Sequence, residues 1–310
     1  MVPVDSSSTR PPLAPPSGPR DLTGALTWGG TGLALLLAAA VGHAQGFRFA
    51  WESPGNLSMA LLVAGPLALA LYARWRAMDA VAIAASAFAQ FAAFNTAILL
   101  LQFPLASFAL PLVDAPLAAL DAVVGGHWPA HFSWLTSDAL IRDTLSTVYG
   151  LLLPQVALAC MVLAAFDPAR LRAFVAANTL ALGATVLVAA LLPAESAFGH
   201  FGTPGFESEP LEQFRAVRDG ALRTLDLARL TGIITFPSYH TILAVLVGCA
   251  FAGMPRLLPW VVLLQAAIIF TTRGVGGHYL ADMAVGAVMA LGAWALVRRL
   301  EGGAAGSVPR

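Results

Sequence analysis

Residues 271–286 read TTRGVGGHYLADMAVG, and this stretch opens the last long apolar run of the chain, at 279–299. His278 and Asp282 are four positions apart, so on a helix the two side chains would share one face. At that spacing a carboxylate can hold an imidazole through its ring N–H. Burial of an ionisable side chain at membrane depth is costly, so the pair indicates a functional site rather than chance polarity.

The composition of the whole chain is that of a membrane protein. Of its 310 residues, 58% are hydrophobic and 11% are charged, and the mean hydropathy is +0.76. Soluble domains contain about 25% charged residues, so the composition excludes a soluble globular protein. The 17 basic and 17 acidic residues cancel. Nucleic-acid binding depends on neutralising phosphates, so we expect no nucleic acid among the partners.

Hydrophobic runs predict an all-α polytopic bundle of about eight transmembrane helices. A helix that crosses the hydrocarbon core needs roughly 20 predominantly apolar residues. Eight such stretches lie near 25–45, 57–73, 80–102, 145–166, 173–193, 239–255, 258–273 and 279–299. The first is longer than the about 7–15-residue core of a signal peptide, so it is predicted to be a retained anchor. The Pro- and Ser-rich residues 1–20 are predicted to be a disordered cytoplasmic tail, and 301–310 a flexible C-terminal tail.

Arginine predicts the orientation, since short cytoplasmic loops carry the excess of basic residues. With the N-terminus inside, every short inside connection contains Arg, and two long connections, 103–144 and 194–238, lie outside. Lys is absent, and the richness in Arg, Ala and Gly indicates a bacterial gene. We therefore expect a multi-pass protein of the bacterial inner membrane. The outer ends of its helices, including the site, would face the periplasm.

A second polar stretch, RDGALRTLDLARLTGIITFPSYHT at 218–241, ends where another apolar run begins. This places His240 on the same predicted side of the membrane as His278 and Asp282. A His oriented by a carboxylate makes a nucleophile, and a second His makes a general acid. Arg side chains bind phosphoryl oxygens in a fixed fork. The combination predicts phosphoryl transfer through a phosphohistidine, and this chemistry requires no metal and no cofactor.

The motifs PSYHT (237–241) and GGHYLADMAVG (276–286) resemble the second and third signature motifs of the type 2 phosphatidic acid phosphatase superfamily. The HY-x-x-D-x-x-x-G form is similar to its inositolphosphotransferase-like branch, which includes inositol phosphorylceramide and sphingomyelin synthases. The resemblance implies a helical phosphatase-type core over 145–300. The N-terminal transmembrane helices and an outer loop would then occupy 21–144. The resemblance also implies a lipid phosphate or phospholipid substrate.

In that superfamily the residues matching His278, Asp282 and His240 are the nucleophile, its orienting carboxylate and the acid that protonates the leaving group. Ser238 matches a phosphate-contacting Ser. The first motif, a Lys followed by Arg-Pro, is absent from this Lys-free chain. Arg218 or Arg223 is therefore proposed to substitute for its phosphate-binding residues. Arg273 stands one position later than the phosphate-binding Arg of the third motif and is the candidate for that role.

Several readings stay open at this stage. The enzyme could hydrolyse its substrate or transfer a headgroup to a second lipid or polyol. The two histidines and Asp282 could instead form a zinc site or a polar cluster that joins helices, as in a lipid translocator or scaffold. The Arg-rich outer segment could bind lipid headgroups. Trp128 and Trp134, beside two histidines, could form an interfacial aromatic belt. The sequence does not give the oligomeric state.

Overall fold

The computed structural model describes residues 22–203 and 207–305. The predicted tail at 1–20 and residues 306–310 lie outside this range. The described residues form thirteen helices and two short strands. The helices are α1 (Leu22–Ala44), α2 (Pro54–Trp75), α3 (Asp79–Ala106), α4 (Asp114–Val123), α5 (Trp128–Thr136), α6 (Ala139–Gly150), α7 (Leu152–Phe166), α8 (Pro168–Leu191), α9 (Ala197–Phe201), α10 (Glu209–Arg218), α11 (Tyr239–Phe251), α12 (Leu258–Val275) and α13 (Leu280–Ala305). The strands are β1 (Arg48–Phe49) and β2 (Thr224–Leu225), which pair in parallel.

This architecture confirms the predicted all-α polytopic bundle. Within the described part of the chain, seven segments are long and apolar enough to cross a membrane, and one of them, Ala139–Phe166, combines α6 with α7. The predicted stretch at 239–255 is instead the 13-residue helix α11, which ends at Phe251. Pro255 follows shortly, and the residue before a proline is disfavoured in a helix, which shortens this element. At the other end α13 continues to Ala305, beyond the predicted boundary at 300.

The largest buried cluster joins side chains of α3, α7, α8, α11, α12 and α13. Helix α8 contributes seven residues to it, of which four are alanines, and such small residues let membrane helices approach closely. Polar pairs add specific links between helices. The side-chain amides of Gln155 and Gln265 pair across α7 and α12 at 2.8 and 3.2 Å. The Tyr239 hydroxyl lies within 2.9 Å of the amide oxygens of Asn95 and Asn178.

The break between α6 and α7 follows from Pro154. A proline ring clashes with the carbonyl four residues earlier, which here belongs to Gly150, the last residue of α6. The chain therefore bends at Leu151, although α6 and α7 together form one apolar stretch. This bend places Tyr149 at the end of a helix, where its side chain reaches α11.

The predicted outer loop at 103–144 contains two short helices, α4 and α5, that pack against the rest of the chain. Trp128 at the start of α5 is 1% exposed and stacks on Phe132 and Phe201. The aromatic-belt interpretation is therefore wrong for Trp128, because its ring is buried among other side chains rather than directed to lipid. Trp134, on the same helix, is 44% exposed.

Candidate active site

His278 and Asp282 are in direct contact. The Nδ1 atom of His278 lies 3.2 Å from Oδ2 of Asp282, and the two side chains are 5% and 0% exposed. The geometry differs from the predicted stacking on one helical face, because α13 begins only at Leu280 and His278 precedes it. The Asp282 carboxylate in the first turn points back and also accepts the Tyr279 N–H at 2.9 Å. It therefore fixes the His278 ring and leaves Nε2 as the nitrogen free to react.

Two features fix the backbone around His278. Gly277 has a φ of +66°, and a Cβ atom there would lie 2.4 Å from the Phe198 ring, so only glycine fits. Its carbonyl accepts the Ala197 N–H at 2.8 Å, which ties the loop to α9.

The start of α13 is capped from a distant helix. Asp121 on α4 is 2% exposed, and its carboxylate accepts the N–H groups of Leu280 at 2.9 Å and Ala281 at 3.1 Å. The first N–H groups of a helix have no partner within the helix, so this contact stabilises α13 where the site begins. The sequence analysis gave Asp121 no role.

His240 lies in the first turn of α11, and its ring centroid is 6.4 Å from that of His278. The preceding Ser238 caps α11 through its hydroxyl and donates its backbone N–H to the Asp282 carbonyl at 3.2 Å. Gly286 allows this approach, since a Cβ atom there would lie 2.7 Å from the Ser238 carbonyl oxygen. The two motifs, which are separated in sequence, thus meet where α11 and α13 begin.

The Tyr149 side chain completes the surroundings of His240. Its hydroxyl lies 3.2 Å from His240 Nδ1, and the two rings stack with centroids 4.3 Å apart. The sequence analysis missed Tyr149, because a contact over 91 positions leaves no local pattern.

Arg273, in the last turn of α12, carries free donors. Its Nε and Nη2 atoms are buried, and neither has a hydrogen-bond partner among the described residues. Its carbonyl accepts the indole N–H of Trp128 at 2.9 Å and the N–H of His278 at 3.2 Å. Buried donors are nearly always satisfied, so an unpaired guanidinium edge fits an anion with several acceptor oxygens. Burial, and then the positive charge of Arg273, lowers the pKa of His131 on α5 below its ordinary value of 6.5.

The two other arginines from the sequence analysis contact different segments. Arg218 on α10 donates from Nη2 to the Leu110 carbonyl at 2.8 Å, and its buried Nη1 has no partner in the described residues. Burial lowers the pKa of Arg218, against the opposing charge of Glu195 and other carboxylates. Arg223 donates to the carbonyls of Val217 and Leu222. The contacts recorded for Arg218 and Arg223 involve neither histidine nor Asp282.

A second buried carboxylate supports the residue after His278. Asp114 accepts the N–H groups of Glu195 at 2.9 Å and Ser196 at 3.1 Å, and the Tyr279 hydroxyl donates to it at 3.0 Å. Burial raises the pKa of Asp114, against the lowering effect of these hydrogen bonds. The network holds Tyr279 in place and thereby fixes one side of the loop that carries His278.

In the described residues no group of three or more His, Cys, Asp or Glu side chains lies close enough to hold a metal ion. Asp282 contacts the His278 ring and is itself held by the Tyr279 N–H. Tyr149 contacts the His240 ring. Their arrangement provides one imidazole paired with a carboxylate, a second imidazole beside it, and a guanidinium with two unpaired N–H groups.

A comparison with protein families matches residues 115–296 of the chain to the family described as the PAP2 superfamily. The matched range is more than half of the chain and includes His240, His278 and Asp282. It begins at residue 115, so it also includes α5 and all of α4 except Asp114, which the predicted boundary at 144 assigned to the N-terminal part. No curated protein and no solved structure matches the chain.

Proposed function

The chain belongs to the PAP2 superfamily, and from this we propose that it is a membrane phosphatase or phosphotransferase that acts on a lipid phosphate through a phosphohistidine. The observation that carries the proposal is the His278–Asp282 contact at 3.2 Å, with the His240 ring beside it. Arg273, whose backbone carbonyl accepts the His278 N–H, adds two buried donors without a partner in the described residues. The superfamily and the apolar helices support a membrane protein of lipid-phosphatase type. The inositolphosphotransferase-like branch remains a prediction.

In the proposed first step, Nε2 of His278 attacks phosphorus and the bond from phosphorus to the leaving oxygen breaks. Asp282 holds Nδ1–H of the ring and balances the positive charge that forms on it. His240 gives a proton to the leaving oxygen, so the lipid departs as an alcohol or a phosphate. The Nε and Nη2 donors of Arg273 bind the phosphoryl oxygens as charge develops on them.

In the second step, water or an acceptor hydroxyl attacks the phosphohistidine, and His240 takes the proton of the attacking group. The nitrogen–phosphorus bond breaks and His278 is restored. Water gives free phosphate, and an acceptor alcohol gives a transferred headgroup. Ser238 and Arg218 are proposed to assist phosphate binding. Arg223 is kept in that set on the sequence prediction alone, since its guanidinium donates to two backbone carbonyls.

We propose that the catalytic core begins at α4, because Asp121 on that helix caps α13. The proposed location is the bacterial inner membrane with the site facing the periplasm, which rests on the distribution of Arg between the connections.

The test uses purified protein in detergent with EDTA. The substrates are a short-chain phosphatidic acid and a polyprenyl diphosphate, and products are resolved into free phosphate and transferred headgroup. We expect turnover that persists in EDTA and disappears in His278→Ala, with a phosphoryl adduct on the His278 peptide of the wild type. His43→Ala, on the exposed end of α1, is the matched control. Undiminished turnover in a folded His278→Ala protein would overturn the proposal.

Arg273→Ala separates phosphate binding from acid–base chemistry. Removal of the two unpaired donors is expected to raise KM and lower kcat together, because they bind the phosphoryl oxygens in the ground state and bind them more strongly as charge develops in the transition state. A product that forms from a phosphodiester lipid only when an acceptor alcohol is added to the assay would assign the enzyme to headgroup transfer. If EDTA abolishes the activity and added Zn²⁺ restores it, the result would favour the metal-site alternative.

A further inference from the structure

The two histidines of the site have partners of different chemistry. His278 Nδ1 faces a carboxylate of Asp282, whereas His240 Nδ1 faces the phenol hydroxyl of Tyr149 at the same distance of 3.2 Å. A carboxylate stabilises a positive imidazolium, which suits a nucleophile that becomes charged when it is phosphorylated. A neutral hydroxyl orients the ring but adds no negative charge to retain its proton.

The Tyr149 ring also restricts how His240 can turn. The two rings stack at an interplanar angle of 19° with centroids 4.3 Å apart, so both the face and one edge of the imidazole are held by the same side chain. Tyr149 is itself placed by the bend at Leu151, directly after α6 ends at Gly150.

The Tyr149 hydroxyl and the His278 ring both lie close to the backbone of Gly276. A Cβ atom at Gly276 would lie 3.2 Å from the Tyr149 hydroxyl and 2.9 Å from Cδ2 of His278. A side chain at this position would therefore press on both residues. The tyrosine hydroxyl is thus part of the immediate surroundings of the two histidines and not a distant support.

We propose that Tyr149 is the positioning residue of His240. Its oxygen accepts Nδ1–H of the imidazole, which directs Nε2 to the leaving oxygen. The Nε2 proton moves to that oxygen in the first step. The ring is then neutral, and its remaining proton stays on Nδ1, hydrogen-bonded to the Tyr149 oxygen. In the second step Nε2 accepts a proton from water or the acceptor, and the cycle closes. This inference rests on the proposed function.

The decisive variant is Tyr149→Phe, which keeps the stacked ring and removes only the hydroxyl. General-acid catalysis contributes about 10²- to 10⁴-fold, so we expect misorientation of the acid to lower kcat/KM on a short-chain phosphatidic acid by about 10- to 100-fold. With p-nitrophenyl phosphate the leaving phenolate needs no proton. Because kcat/KM reports the steps up to phosphohistidine formation, its value there should change less than about twofold.

Controls separate positioning from structure. Tyr72→Phe, at an exposed position on α2, should leave both substrates unaffected. His240→Ala should show the same dependence on the leaving group as Tyr149→Phe, with a larger loss on the lipid. Equal losses on the two substrates, or no loss on either, would overturn the role of Tyr149. Retained turnover in His278→Ala would instead overturn the proposed function.

A second measurement does not depend on turnover. Nitrogen NMR of ¹⁵N-histidine-labelled protein in detergent reports which ring nitrogen of each histidine carries the proton, and His240→Ala assigns the His240 signals. We expect those signals to shift towards the other tautomer, or a mixture of the two, in Tyr149→Phe. Unchanged His240 signals would contradict the inference whether or not a substrate is found.

Discussion

The indole Nε1 of Trp128 donates a hydrogen bond of 2.9 Å to the backbone carbonyl of Arg273, joining two residues 145 positions apart. This contact attaches α5 to the last turn of α12, which contains Arg273. The guanidinium of Arg273 carries the two buried donors without a partner in the described residues. The same carbonyl accepts the His278 N–H, so Trp128 acts on the backbone that positions both Arg273 and His278.

We therefore predict that Trp128→Phe is destabilising. The change removes a hydrogen bond to a buried carbonyl and leaves space among the rings of Phe132, Phe198 and Phe201. The expected loss is about 1–3 kcal/mol, measured as a lower Tm in detergent. Trp134→Phe is the control on the same helix, where a half-exposed ring should cost less than about 0.5 kcal/mol. Equal effects of the two changes would show that the Trp128 hydrogen bond contributes nothing.

The cap at Asp121 gives a second prediction. Asp121→Ala leaves the N–H groups of Leu280 and Ala281 without their acceptor, which typically costs about 0.5–2 kcal/mol. Asp121→Asn keeps one acceptor oxygen and should lie between the alanine variant and the wild type in Tm. Asp143→Ala, at an exposed position on α6, serves as the charge-matched control. If Asp121→Ala unfolds at the wild-type temperature, the cap is not a stabilising contact.

Gly277→Ala tests the strained backbone before His278. A left-handed conformation costs an L-residue about 1–2 kcal/mol, and the added methyl would also collide with Phe198. We expect a loss of at least that size in stability and a fall in turnover, since the loop carries the proposed nucleophile, His278. Gly29→Ala, on α1 with open space around it, should instead be neutral or stabilising. A Gly277→Ala protein as stable and active as the wild type would rule out this conformational requirement.

The long apolar helices could be predicted from the sequence because hydrophobic length is a local property. The length of α11 could not be read from hydropathy, which stays high beyond Phe251 although the chain turns before Pro255. The contact of His278 with Asp282 could be anticipated from a spacing of four, even though His278 precedes the helix.

The contacts that Tyr149, Trp128, Asp121 and the Asp114 carboxylate make with the last helices could not be predicted in the same way, because those with His240, Arg273, Leu280 and Tyr279 join residues 91 to 165 positions apart. The sequence contains one local signal for these contacts. Asp114 and Asp121 are seven positions apart on α4, so they share one face of an otherwise apolar helix, and both are buried. Two carboxylates on one face of such a helix indicate buried polar partners. Those partners are Tyr279 and the backbone N–H groups at the start of α13.

The lowered pKa of His131 predicts a pH dependence of stability. Burial and the charge of Arg273 disfavour the protonated ring in the folded state, whereas an unfolded His takes up a proton near pH 6.5. The contribution of neutral His131 to the free energy of unfolding is therefore fully present above pH 6.5 and decreases as pH falls towards the folded-state pKa of His131. We expect the Tm of the wild type to fall between pH 8 and pH 5 by more than that of His131→Gln. Parallel curves for the two proteins would contradict this assignment.

Asp282→Asn tests what the carboxylate does for the proposed nucleophile. One oxygen, Oδ2, contacts both His278 Nδ1 and the Tyr279 N–H, so an amide oxygen in its place still accepts both N–H groups but lacks the negative charge that balances an imidazolium. An NH₂ group in its place would oppose the Tyr279 N–H and favour the His278 tautomer with the proton on Nε2, so either orientation of the amide impairs attack on phosphorus. We therefore expect kcat to fall by about 10²- to 10⁴-fold with a small change in KM, because the nucleophile and not the phosphate contacts is affected. Asp143→Asn should retain full activity, and formation of the phosphohistidine in a single turnover is the measurement. Wild-type rates of phosphohistidine formation in Asp282→Asn would show that the carboxylate is structural and does not orient His278.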